Sequence, residues 1–206
     1  YKLAQLVAAS PNETQLALGR RRWPWRRPYA VALYPEALPF TDHSFGLVIV
    51  NLIGSEPAQL QAMVKEAARV LEPGGLICAS FFGPDAFKEF AQAWTCIDAS
   101  PHVLPFADMH DVGDMLTQGG FGDIVVDAEQ LNLTYVNPQA AIKEARALGI
   151  GNIHPLRARG LTSRSRWQRF IDTCPSIAGR APVTIELVYV HAWKNLDLGS
   201  VEVALV

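Results

Sequence analysis

Ten of the 18 basic residues of this chain fall into two arginine clusters. Arg20, Arg21, Arg22, Arg26 and Arg27 are interleaved with Trp23 and Trp25, and Arg157, Arg159, Arg164, Arg166 and Arg169 crowd a later segment. A guanidinium is a planar fork of donors that matches a carboxylate or a phosphate. On a chain of formal net charge -2, such concentration suits an acidic partner. The plainer alternative is a solvated basic face with the tryptophans packed beneath it. Other chemistry is poorly represented. The five histidines, His43, His102, His110, His154 and His191, show no H-E-x-x-H or similar ligand spacing, and no serine sits in G-x-S-x-G. Neither a metal site nor a hydrolase is expected, and no catalytic acid or base stands out. Asp108, Asp111 and Asp114 recur every third residue, which capping and solvation of a helix start explain. Cys78, Cys96 and Cys174 are far apart and odd in number, against a disulfide framework or a zinc site, and they fit a reducing cytoplasm.

These side chains need a scaffold, and the composition supplies one. Half of the 206 residues are apolar, enough for a substantial core and too many for intrinsic disorder. With 18% charged residues, the chain has no global positive field to hold nucleic acid or anionic lipid. The longest apolar runs, residues 46–53 and 76–82, fall short of the roughly 20 residues that cross a bilayer. A soluble protein without a membrane partner is expected. Residues 3–9 read as a strand, residues 11–18 as a helix that Ser10 caps, and residues 29–34 as a strand ended by Pro35. Residues 45–52 form a continuous apolar run of the kind found in interior parallel strands buried on both faces.

From Glu56 to Leu71, Leu60, Val64, Ala67, Ala68 and Leu71 recur at helical spacing, and Pro73-Gly74-Gly75 is expected to stop that helix before a strand at 76–82. Phe87, Phe90, Trp94 and Ile97 form one stripe of a following helix, and residues 108–118 form another that ends at Gly119-Gly120. Residues 124–133 and 183–193 read as strands, and 138–148 and 163–174 as helices. This order predicts an α/β sheet covered by helices.

Two stretches are specific in combination: Glu36-Ala37-Leu38-Pro39-Phe40-Thr41-Asp42-His43-Ser44-Phe45, and Arg69-Val70-Leu71-Glu72-Pro73-Gly74-Gly75. Together they resemble class I S-adenosylmethionine-dependent methyltransferases. Residues 102–106, Asp108-Met109-His110-Asp111, Gly113-Asp114-Met115-Leu116, Gly119-Gly120-Phe121, Leu133-Thr134-Tyr135 and 188–194 resemble the malonyl-carrier-protein O-methyltransferases of biotin synthesis. The likeness runs from about Leu6 to Lys194 and implies a single Rossmann-like methyltransferase domain over residues 1–194, with 195–206 as a tail. It implies a seven-stranded sheet whose first strands hold S-adenosylmethionine at their carboxyl ends. On that reading the cofactor positions are Ala8, Ala9, Tyr34, Glu36, Asn51 and Leu52, the last two through backbone atoms. The resemblance further implies an acyl carrier protein as the acidic partner. Arg159 and Arg164 are then candidates for a malonyl carboxylate, and Tyr135 for the border of the acceptor pocket.

The chain also departs from the pattern. No G-x-G cluster precedes Pro28, and Ala8, Tyr34 and Gly46 stand where the family carries acids. An alanine methyl accepts no hydrogen bond from a ribose hydroxyl. If residues 3–9 are the family's second strand, the first strand and its glycine-rich loop belong upstream of Tyr1, and a gap with two unpaired edges is expected in the centre of the sheet. The alternative is an abbreviated sheet with residues 3–9 in first place. Two functions follow: an O-methyltransferase of the malonyl-carrier type, or a non-catalytic relative with a degenerate cofactor site that acts by binding or assembly. Carboxylate methylation needs little acid or base help, because the oxygen is already nucleophilic and positioning and desolvation do most of the work.

Overall fold

The computed structural model describes residues 5–11, 16, 29–52, 56–147 and 150–196. Strand β1, Val7–Ser10, pairs in parallel with β2, Tyr29–Ala32. Most of the helix expected at 11–18, and the whole first arginine cluster with Trp23 and Trp25, lie outside the described residues.

The next unit is a parallel crossover: β3, Phe45–Asn51, helix α1, Pro57–Val70, and β4, Leu71–Phe82. Pro57 opens α1, where a missing N–H costs nothing. Leu60, Met63, Val64, Ala67 and Ala68 then bury one face against the sheet. The helix ends three residues before the expected Pro-Gly-Gly stop. Fully buried Leu71 already has extended backbone and pairs with Phe45, and a bulge between Phe45 and Leu47 absorbs the irregular Glu72 to Gly75 stretch. Gly74, at φ 75°, turns the chain there.

The remaining elements are α2, Lys88–Thr95, α3, Met109–Gln118, β5, Phe121–Tyr135, α4, Pro138–Ala147, α5, Arg164–Thr173, and β6, Ala181–Lys194. Asp108 caps α3 by accepting from the His110 and Asp111 N–H groups, and Ser163 caps α5. The cap role expected for the aspartate repeat is thus seen at Asp108. Strand β6 enters antiparallel between β4 and β5, so the larger sheet runs β3-β4-β6-β5.

Two expectations need correction. The apolar run of β3 is not buried on both faces: Val50 faces the core, whereas Leu47 is 39% and Ile49 70% exposed. The reason is topological, since β3 is the edge of its sheet and alternation puts every second side chain on an open face. The six described strands also form two sheets rather than one of seven. The edges of β1 and β3 that pair with no other described strand line a common groove of about 220 Å³, walled by Val7, Ala9, Leu47, Ile49, Met63 and Val70. No helix among the described residues is long and apolar enough to cross a membrane.

Candidate functional site

Arg69 explains why the two specific stretches belong together. Its Nη1 donates to the Phe40 carbonyl and to Asp42 Oδ1, both at 2.7 Å, and its Nη2 donates to the Leu38 carbonyl at 2.9 Å. Nε and Nη2 also bind the two oxygens of Glu66, whose Oε2 accepts the Leu38 N–H at 2.7 Å. All five guanidinium donors are thereby used. The hydrogen bond from Arg69, with Leu38 N–H, holds the Glu66 carboxyl below its ordinary range, and the same pairing raises Arg69. The consequence is a fixed entry into β3, whose carboxyl end then lies beside that of β4.

At that end Ser80 Oγ donates to Asn51 Oδ1 at 2.8 Å, and the Leu52 N–H donates to the Ser80 carbonyl at 2.9 Å. Leu52 is left-handed, φ 53°, a conformation that costs a non-glycine residue about 1–3 kcal/mol and clusters at ligand-binding edges. Across the groove, Ala8 and Ala9 lie in β1, and Tyr34 and Glu36 follow the carboxyl end of β2. Parallel pairing sets Ala8 beside Ala30 and Ala9 beside Val31, so Tyr34 and Glu36 lie beyond the paired residues; of these four Ala9 lines the groove, while Asn51 and Leu52 belong to the other sheet.

Beyond the end of β4 is a cavity of about 480 Å³, within the range of small-molecule sites. Phe87, Phe90, Trp94, Phe106, Trp167 and Phe170 wall it. Trp94 is sandwiched, with His102 stacked at 3.7 Å and Phe170 at 4.5 Å between ring centroids. Asp98 locks the wall: its carboxylate accepts from the Ser100 N–H, pairs with His102 at 3.0 Å and holds Arg166 of α5. Burial raises the Asp98 carboxyl, but the Ser100, His102 and Arg166 hydrogen bonds outweigh it and bring it to about 2. Phe87, left-handed at φ 61°, donates its N–H to the Thr184 carbonyl at 2.8 Å and starts α2. Asn152 ties the far rim to the Pro101 carbonyl at 2.7 Å.

The expected acceptor residues lie around this cavity rather than in it. Tyr135 packs half-buried in the adjoining core, where burial and then Glu144 raise its phenol. Arg159 and Arg164 are exposed and do not line the cavity, and Arg157 and Arg169 are exposed as well. The arginine that lines it is Arg146, in the last turn of α4. Arg146 lies outside both arginine clusters, and what marks it is the helix face: Ile142, Ala145 and Arg146 stand at i, i+3 and i+4, and all three line the cavity. The three cysteines are free, and burial pushes the Cys174 thiol up to about 11. No group of metal-ligating side chains exists among the described residues.

S-adenosylmethionine brings ribose hydroxyls, an adenine and a charged amino-acid end, each of which needs a polar partner when buried. Among the described residues, no carboxylate lines the groove between β1 and β3, and Ala8 offers a methyl group. Gly46 carries no acid either, and Glu72 Oε1 would lie 2.9 Å from a Cβ placed there. The described residues form the edge of such a site but not the polar cradle that fits the nucleoside.

The comparisons place the chain among methyltransferases. A methyltransferase-domain model matches residues 1–79. The fold, a class I Rossmann-like methyltransferase sheet, is shared with an S-adenosylmethionine-dependent methyltransferase from Methanosarcina mazei. That structure has a TM-score of 0.52 and 14% identity, with 93% of this chain and 82% of that one covered. The YcgJ protein from Bacillus subtilis superposes at a TM-score of 0.61 with 13% identity, covering 93% and 82%. Among curated proteins, the malonyl-[acyl-carrier protein] O-methyltransferase of Halorhodospira halophila is 39% identical over 199 residues, 94% of this chain and 67% of its own. Those of Gallionella capsiferriformans and Legionella pneumophila are 36% and 34% identical, over 94% and 95% of this chain and 70% of theirs. With more than a third of its residues shared across two thirds of proteins of that name, the chain belongs to the malonyl-[acyl-carrier protein] O-methyltransferase family.

Proposed function

We propose that this chain methylates the free carboxylate of a malonyl group presented on an acyl carrier protein. The observation that carries the reading is the aromatic cavity at the carboxyl end of β4, on the same sheet edge as Asn51 and Leu52. A carboxylate oxygen needs no activation, so the chain's task is to hold the acyl group in one orientation and to keep water away from it. Aromatic walls locked by Asp98 suit that task. The exposed arginines Arg157, Arg159, Arg164 and Arg169 supply a basic surface for an acidic carrier. Arg159 and Arg164, with Tyr135, would then act at the carrier-facing rim. The cytoplasm, where carrier-bound acyl groups are made, is the compartment that fits three free thiols.

Residues 1–194 would form one methyltransferase domain with 195–206 as a tail, completed by one more strand in the groove between β1 and β3. The edges of β1 and β3 that face the groove and pair with no other described strand, and the greater length of the relatives, support this. Such a strand would also bring the polar contacts to the cofactor that Ala8, Tyr34 and Gly46 do not offer.

One observation favours the second reading, a binding or assembly protein without catalysis: among the described residues no carboxylate lines the groove. Calorimetric titration of the natural gene product, including whatever its gene encodes upstream of Tyr1, separates the two. Saturable heat with S-adenosylmethionine at one site per chain is expected, and at least about tenfold weaker binding to residues 1–206 alone. No heat from the natural product would defeat the enzyme reading.

A further inference from the structure

The cavity beside β4 is apolar on its walls, and its lining includes no aspartate or glutamate. Its polar members are few, and most are already engaged. His102 is held by Asp98 and stacked on Trp94, and Asn152 binds the Pro101 carbonyl. Arg166 does not line it and is committed to Asp98. Arg146 is different: it lines the cavity, is exposed towards it, and has no carboxylate partner among the described residues. An unpaired guanidinium at the rim of an apolar pocket is a poor device for binding a neutral acyl chain and a good one for binding an anion, because the low-dielectric walls strengthen the charged hydrogen bond.

We propose that Arg146 is the specificity-determining residue that takes the terminal carboxylate of a short dicarboxylic acyl thioester whose methylene lies against the aromatic walls. The inference rests on the carrier-thioester reading and deepens it: Arg146 would select a malonyl-type group over a neutral acyl group of similar length. The last turn of α4 fixes the position of its stem, and Ile142 and Ala145 on the same face pack the pocket beneath it. One oxygen of the carboxylate would be gripped and the other left free to face the sheet edge.

Trp94 and Trp167 stand in the cavity wall, so their fluorescence reports its occupancy directly and without the cofactor. The natural gene product would be titrated with malonyl-pantetheine and with butyryl-pantetheine, a neutral acyl group of similar length. A preference for the malonyl compound of about tenfold or more is expected, the size of one charge-assisted hydrogen bond. Arg146→Gln should erase that preference while leaving butyryl affinity within about twofold. Arg146→Lys should restore part of it, and Lys143→Gln, on the same helix but outside the cavity, should keep it whole. Retained preference in Arg146→Gln, or equal binding of both compounds by the unaltered protein, would overturn the assignment while leaving the cavity as the acyl site. Binding of neither compound would overturn the assignment together with the carrier-thioester reading.

Discussion

Asp98 shows how much a single carboxylate contributes to the site. It joins the loop after α2 to His102 and to Arg166 of α5, so the cavity wall is only as firm as this group is ionised. Its carboxyl titrates at about 2 in the folded chain against an ordinary 3.8. A lowered folded value means stabilisation that is complete above about pH 4 and is lost as pH falls towards 2. Allowing for partial exposure, the loss should be about 1–2 kcal/mol. Asp98→Asn should destabilise the protein by a similar or larger amount at neutral pH, since Arg166 is left unpaired, and should flatten this part of the pH profile. Urea midpoints measured between pH 2 and pH 6 for both proteins check this, and an unchanged acid limb in the variant would contradict it. At this scale the sequence was partly legible. The pairing of Arg69 with the Leu38 to Phe40 stretch is present as a joint pattern, although its cause, three hydrogen bonds that reach across 27 to 31 positions, needs coordinates. Arg146 is marked only by its place on the helix face of Ile142 and Ala145, and the tie of Asp98 to Arg166, 68 positions away, leaves no local pattern.

The elements themselves were read with greater success. Helical spacing locates α1, α3, α4 and α5 to within a residue or two; of the stripe expected on one helix, Phe90 and Trp94 lie in α2, whereas Phe87 precedes it in a left-handed conformation and Ile97 follows its end. Strand β3 was misread, because an apolar run says that a strand has a buried face but not how many neighbours it has. Helix α5 shows what packing adds to pattern. Phe170 is fully buried, 4.5 Å from Trp94, 5.3 Å from Trp167 and 6.0 Å from Phe90 by ring centroids, and it closes the cavity floor. Phe170→Ala should cost about 3–5 kcal/mol in a denaturant melt and lower malonyl-pantetheine affinity with it. A loss below about 1 kcal/mol would mean that α5 is not docked as described. Exposed Arg169, one position before, should tolerate alanine with a change within about 0.5 kcal/mol.

At the scale of the whole molecule, the strand order accounts for both the clarity of the fold and the gap in the site. Parallel β3 and β4 with antiparallel β6 and β5 form an α/β sheet of four described strands rather than seven, and the separate β1–β2 pair faces it across one groove. Motifs on loops and helix ends foretold the family, whereas strand pairing depends on contacts between segments far apart, which one-dimensional patterns do not specify. On the proposed reading, the groove between β1 and β3 would border the cofactor edge, and the cavity built by α2, α4 and α5 would take the acceptor. The account stands or falls on ester formation. The natural gene product, incubated with methyl-labelled S-adenosylmethionine, should place base-labile label on malonyl-carrier protein and none on acetyl-carrier protein. Label on neither carrier, from protein that binds the cofactor, would contradict it.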